Sequence, residues 1–255
     1  MPKSSGPLRL ETFKCTIRPA NVPLPENRVL LINDDREPRL ELVDGKRQVV
    51  LQTAALSDFT EAKHAGIYHI SARIDPQGMM HAVFSLYSFG LGKSYEWTQG
   101  GLPKNLPYVL YHWASVALTP DSKHLLVQHN LSASGAICED DAYCPRIPRR
   151  GTIVDLREVS TGRVLWEIKG MASDIARGYD PVVSPDGRYA IITIPSTDGR
   201  MMNSRGTLAL VSVVDGNIIQ HLNGCPCDMT VDFTPDGKAL NVRTPSSVST
   251  YKFHY

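Results

Sequence analysis

Seven polar side chains carry the chemistry open to this chain: His64, His69, His112, Arg177, Tyr179, Asp180 and Asp228. Counted back from the proline of the turn that follows each, His69 and Asp228 stand seven residues away and His112 eight. They therefore hold equivalent places in successive segments and are expected to converge as one ligand-binding set. Imidazoles with carboxylates make a donor set for a divalent metal such as zinc, iron or manganese, and the candidate ligands are His69, His112, Asp180 and Asp228. The same groups suit general acid and base work, because an imidazole titrates near neutral pH. A third reading is structural: polar side chains line a water-filled channel because buried water needs partners.

A second candidate is the stretch from Asn130 to Arg150. Cys138 and Cys144 bracket a polar run, Glu139 to Tyr143, of the length that a short disulfide closes. That pairing points to a secreted or periplasmic home, with a cytoplasmic one left open. The three acids of the run could ligate calcium or simply be solvated, and Arg146, Arg149 and Arg150 lie beside them. Cys225 and Cys227 are too closely spaced for an unstrained bridge and read as turn or core thiols. Trp97, Tyr108, Tyr111 and Trp113 form either a binding platform or core packing.

The elements that must position these residues are strands. Ser115 to Gln128, Pro181 to Thr193 and Thr230 to Val242 each read as a β-run, a proline-centred turn and a second β-run, and Ile70 to Phe84 is a looser copy. Proline fixes φ at the first turn position, Asp or Ser bonds back to the backbone, and glycine accepts positive φ. The turn prolines, Pro76, Pro120, Pro185 and Pro235, are spaced by 44, 65 and 50 residues, the size of a four-stranded sheet, with the cysteine loop inside the long interval. A second hairpin recurs in Arg39 to Leu51, Gly151 to Ile168 and Gly206 to Leu222, each with a glycine turn.

Inner strands carry continuous apolar runs, as in Ala114 to Leu118. Outer ones alternate, as in Val154, Leu156 and Val159 around Asp155 and Arg157, the burial gradient expected of a sheet whose first strand faces a central channel and whose last faces water. No helical periodicity of any length appears. The expected fold is all-β: a small β-propeller of about five four-stranded antiparallel blades in one domain, with blades near 10–53, 64–99, 108–170, 179–224 and 227–255. The last blade supplies only three strands, and Pro7 to Leu10 is placed to give the missing one and close the ring.

The turns Ser184 to Arg188 and Thr234 to Lys238, with Thr119 to Lys123 as a degenerate copy, resemble those of the WD-repeat-like and TolB-like propeller superfamily. The hairpin Ser160 to Trp166 also resembles outer strands of quinoprotein-type propellers. The resemblance runs from about Leu10 to the end, implies the fold and is nearly silent on function. No blade carries the Trp-Asp or Gly-His pairs of true WD repeats, so that family's scaffold roles do not carry over.

Composition narrows the function. A chain of 255 residues with 42% hydrophobic content can bury a core. Lysine and arginine number 27 against 26 acids, so no one-signed field draws it to nucleic acid. No apolar run is long enough to span a bilayer, Met1 to Leu10 lacks a signal-peptide pattern, and no nucleophile elbow, zinc-protease helix or phosphate loop is present. The expected function is recognition of a protein or small ligand by the blade-connecting loops and the 130–150 loop. The alternative is an enzyme at the channel mouth built on the His and Asp set, with a divalent metal as its cofactor.

Overall fold

The computed structural model describes residues 21–33, 39–55, 66–88, 91–110, 114–129, 150–171, 180–194, 207–222, 230–243 and 247–253. They form five antiparallel sheets and, apart from one 3-10 turn at Pro25–Asn27, no helix. The first sheet joins β1 (Asn21–Pro23), β2 (Arg28–Asn33), β3 (Arg39–Asp44) and β4 (Val49–Ala55). The second joins β5 (Gly66–Ile74), β6 (Met80–Ser88), β7 (Leu91–Thr98) and β8 (Lys104–Asn105). The third holds β9 (Ala114–Leu118), β10 (His124–His129), β11 (Arg150–Glu158) and β12 (Val164–Met171). The fourth holds β13 (Val182–Val183), β14 (Tyr189–Ile194), β15 (Thr207–Ser212) and β16 (Ile218–Leu222). The fifth has three strands, β17 (Thr230–Phe233), β18 (Ala239–Arg243) and β19 (Val248–Lys252).

Within each sheet, strands pair with their sequence neighbours, and the first strands β1, β5, β9, β13 and β17 lie one beside the next. The first strand of each sheet is thus the innermost, as in the blades of a small propeller. Period-two alternation then sends successive side chains to the neighbours on either side. Leu125 and Val127 join Val83, Leu106 and Leu110 against the second sheet, while Leu126 joins Ala190 and Ile192 against the fourth. In the same way Leu30, Leu40 and Leu42 meet Phe84 and Trp97, and Leu208 and Leu210 meet Val231 and Phe253. Each fully buried leucine among them contributes about 1.5–3 kcal/mol relative to exposure, so the middle strands hold the stack together.

The recurring turn is built from one side-chain circuit. In the fourth sheet Ser184 Oγ donates to Asp186 Oδ1 at 2.6 Å and accepts from the Tyr189 amide, and Asp186 Oδ1 also accepts from the Arg188 amide. Thr234 and Asp236 repeat it in the fifth sheet and Thr119 and Asp121 in the third. Gly187 and Gly237 supply the left-handed residue at φ +73° and +70°, whereas Ser122 takes that place at φ 57°. In the second sheet Asp75, one place before the proline, accepts from the Gln77 and Met79 amides instead.

One glycine expected to serve a turn serves another purpose. Gly45 has no positive φ; in that hairpin Gln48 does. A Cβ at Gly45 would stand 2.6 Å from the Asn27 carbonyl oxygen, to which the Gly45 amide donates at 2.7 Å. Close approach of two backbones is what demands the glycine here.

Candidate functional site

Antiparallel order fixes which strand ends share a side. First-to-second and third-to-fourth connections leave one end of each sheet, and second-to-third and sheet-to-sheet connections leave the other. The chain therefore leaves β10 at His129 and re-enters at Arg150 on the same side where β5, β9, β13 and β17 begin. Of the expected ligand set, Asp180 is described and exposed just before β13, and His69 lies on β5. His64, His112, Arg177, Tyr179 and Asp228 lie outside the described residues, as do Cys138, Cys144 and the loop between His129 and Arg150. Among the described residues no group of three or more His, Cys, Asp or Glu side chains is placed to hold a metal ion.

At the root of the 130–149 stretch sits a cluster that the sequence reading missed. His129, the last residue of β10, bonds through Nε2 to Asp155 Oδ2 at 2.6 Å. Arg157 grips the same carboxylate with two nitrogens, Nε to Oδ1 at 2.7 Å and Nη2 to Oδ2. The Asp155 side chain is only 3% exposed and that of Arg157 13%. They lie on β11, the third strand, and Arg157 lies over the ring of Tyr108, in the connection between β8 and β9, at 5.4 Å. In the ladder Asp155 stands opposite Val127 and Arg157 opposite Leu125, with His129 two residues on from Val127; alternation alone cannot tell a solvated face from one packed on a neighbour.

The electrostatics of this cluster are those of an anchor. Burial pushes the Asp155 carboxyl up, but hydrogen bonds from His129 and Arg157 outweigh it and hold the group below the usual carboxylate range. Tyr108, packed against Gly162 at the next hairpin, has its pKa pushed up to about 12 by burial, and its hydroxyl has no hydrogen-bond partner among the described residues. A carboxylate engaged on both oxygens by a guanidinium and an imidazole has little capacity left for a substrate. It does tie the end of β10, where the chain departs, to the middle of β11. Of the expected aromatic platform, Trp97 is 1% exposed with its indole N–H on the Gly101 carbonyl, so core packing is its role.

A second histidine comes closer to catalytic geometry. His81 Nε2 bonds Asp75 Oδ2 at 2.9 Å, and its Nδ1 faces Thr98 Oγ1 at 3.4 Å. If Nε2 carries the proton held by the carboxylate, Nδ1 is the acceptor facing a hydroxyl, which is base-and-orienter logic. What such a site also needs is backbone N–H groups aimed at a developing oxyanion. The amides beside Thr98 are engaged: Gln99 donates to Met80 O, Gly100 to Gln52 Oε1 and Gly101 to Thr98 O. The trio therefore closes the turn between β5 and β6.

No protein-family model matches the chain, and no curated protein matches it in sequence. Its structural neighbours are β-propellers. A chain from the complex of KlAtg21 with the coiled-coil of AgAtg16 has a TM-score of 0.60 at 11% identity, over 92% of this chain and 65% of that one. The putative TolB from Agrobacterium tumefaciens gives 0.52 at 15% identity, over 89% and 70%. An acylaminoacyl peptidase in complex with Z-Gly-Gly-Phe-chloromethyl ketone gives 0.51 at 12% identity, over 91% and 38%. This chain thus spans just under two thirds of the Atg21 chain and well under half of the peptidase. At such identities the likeness shows the fold alone, a β-propeller, and a fold does not fix an activity.

Proposed function

We propose that the chain is a binding module that recognises a protein or small ligand with the loops on the side where the inner strands begin, the 130–150 loop foremost. The observation that carries this reading is the buried His129–Asp155–Arg157 cluster, which ties the β10 end of that loop to the middle of β11. Long irregular connections on rigid scaffolds are where recognition concentrates. Shared strand ends support the second part, since segments holding His64, His112, Arg177, Tyr179 and Asp228 leave the sheets on the same side. The Cys138 and Cys144 pair fits an oxidising compartment, secreted or periplasmic.

The test is selection of phage-displayed peptides on the full chain, followed by titration against a variant with residues 131–148 replaced by a short glycine-serine linker. The expected result is a loss of affinity of at least about tenfold with melting unchanged. Peptides that bind the shortened chain equally well would remove the loop from the reading. Elemental analysis with His112→Ala separates the metal-enzyme alternative: stoichiometric metal that is lost in the variant would favour it.

A further inference from the structure

We propose that Arg73, near the end of β5, is an anion site that takes the carboxylate or phosphate group of a small ligand beside the inner strands. It lies on the side where those strands end, opposite the loops assigned to recognition, so the two sites stand or fall separately. Among the residues of β1, β5, β9, β13 and β17, Arg73 is the one lysine or arginine. Arginine rarely leaves the exposed surface unless it is paired.

Its placement follows from the meeting of two inner strands. Leu118 of β9 turns both backbone groups towards β5: its amide donates to Ser71 Oγ at 2.9 Å, and its carbonyl accepts from Arg73 Nη1 at 3.0 Å. That bond uses one of the five guanidinium donors. His81, opposite Arg73 in the ladder, is engaged by Asp75 and Thr98.

What sets Arg73 apart is its missing counter-charge. Three arginines among the described residues are at least partly buried: Arg28, Arg73 and Arg157. Arg28 holds Glu26 at 3.0 Å and Arg157 grips Asp155, whereas no carboxylate among the described residues lies within 4.0 Å of Arg73. Burial pushes its pKa down, and Asp121 offsets this only in part. The Asp121 carboxylate is itself taken up by Thr119 Oγ1, the Lys123 amide and His124. In the same turn the Ser122 hydroxyl is buried and has no hydrogen-bond partner among the described residues. A charge drawn from water without a partner is a standing cost, and an oxyanion bound by two nitrogens of the fork removes it. That planar fork selects carboxylate or phosphate over a halide.

Nitrogen–proton correlation NMR on the full, isotope-labelled chain reads the Arg73 Nε–H resonance, assigned by its absence from R73K and R73Q. At constant ionic strength, inorganic phosphate and acetate are titrated separately to about 50 mM, and at least one is expected to move that resonance along a saturating curve with Kd of about 1–10 mM. Chloride is expected to leave it in place. Which of the two anions saturates identifies the ligand group as phosphate or carboxylate. R73K keeps the charge but loses the fork, and is expected to bind the saturating anion at least about tenfold more weakly, read on the Ser71 and Leu118 amides. Displacement that stays linear with both anions, or equal saturation by chloride, would overturn the proposal in the unmodified chain whatever the variants do. Ser71 and Leu118 amides that saturate in R73K at the same concentration would overturn it as well.

Discussion

Asp155 concentrates the electrostatic stake of this molecule in one side chain. It is 3% exposed and holds both Arg157, itself mostly buried, and His129. Removing one partner of a buried ion pair strands the other charge, at a cost of about 3–5 kcal/mol. Asp155→Ala is therefore expected to lower Tm by about 10 °C in a calorimetric scan, far more than truncation of an exposed acid. Acid should act through the same group. Its pKa lies below its value in the unfolded chain, so its stabilisation is complete above about pH 4 and is lost as pH falls through the lower native value. Asp155→Asn should flatten Tm against pH between about pH 5 and pH 2, while Asp75 and Asp121, also held low, keep a residual slope. The sequence displayed Asp155 and Arg157 plainly but not their burial, because burial there is decided by chain outside their own hairpin, the Tyr108 ring included.

At the scale of the element, the hairpin glycines separate two physical demands that look alike in sequence. Gly78, Gly162 and Gly216 all have positive φ, at +80°, +71° and +73°. A Cβ at Gly78 would meet nothing within 4 Å, whereas at Gly162 it would stand 2.3 Å from Tyr108 Cδ1 and at Gly216 2.7 Å from Trp166 Cε3. The outer hairpins of the third and fourth sheets thus press their glycines onto an aromatic ring of the preceding part of the chain, and Trp166 also donates its indole N–H to Val213 O at 2.7 Å. Gly78→Ala is expected to cost about 1–2 kcal/mol, the backbone penalty alone. Gly162→Ala and Gly216→Ala add an overpacking term of about 1–3 kcal/mol, which chemical denaturation should resolve. Equal losses at all three would show that the rings move aside freely. Turn chemistry was legible because proline, Asp and glycine act within four residues. The aromatic partners of Gly162 and Gly216 were not, since Tyr108 lies between β8 and β9 and Trp166 on the preceding sheet.

For the whole molecule, repeated turns disclosed the five sheets because each repeat solves the same burial problem, whereas the candidate ligand set is less legible, resting on connections whose conformation repetition does not fix. The same logic points to the ends of the array. Apolar cores join the first sheet to the second, the second to the third, the third to the fourth and the fourth to the fifth; among the described residues none joins the fifth to the first. On the fifth sheet's other face Asp232 lies 3.9 Å from Arg243 and Thr250 donates to Asn241 at 2.8 Å, a polar surface unlike the apolar faces within the stack. Its edge strand β19 leaves Val248 and Tyr251 66% and 50% exposed, where the other four sheets have a fourth strand. A strand added at that edge would complete the blade and cover those side chains. Pro7-Leu-Arg-Leu10 has the alternation to supply it. Deleting residues 1–10 is expected to lower Tm by about 5 °C or more, since each kcal/mol lost shifts a chain of this size by roughly 2–4 °C. Unchanged melting would mean that the edge is closed in some other way, because ten residues without a docking place contribute nothing to stability.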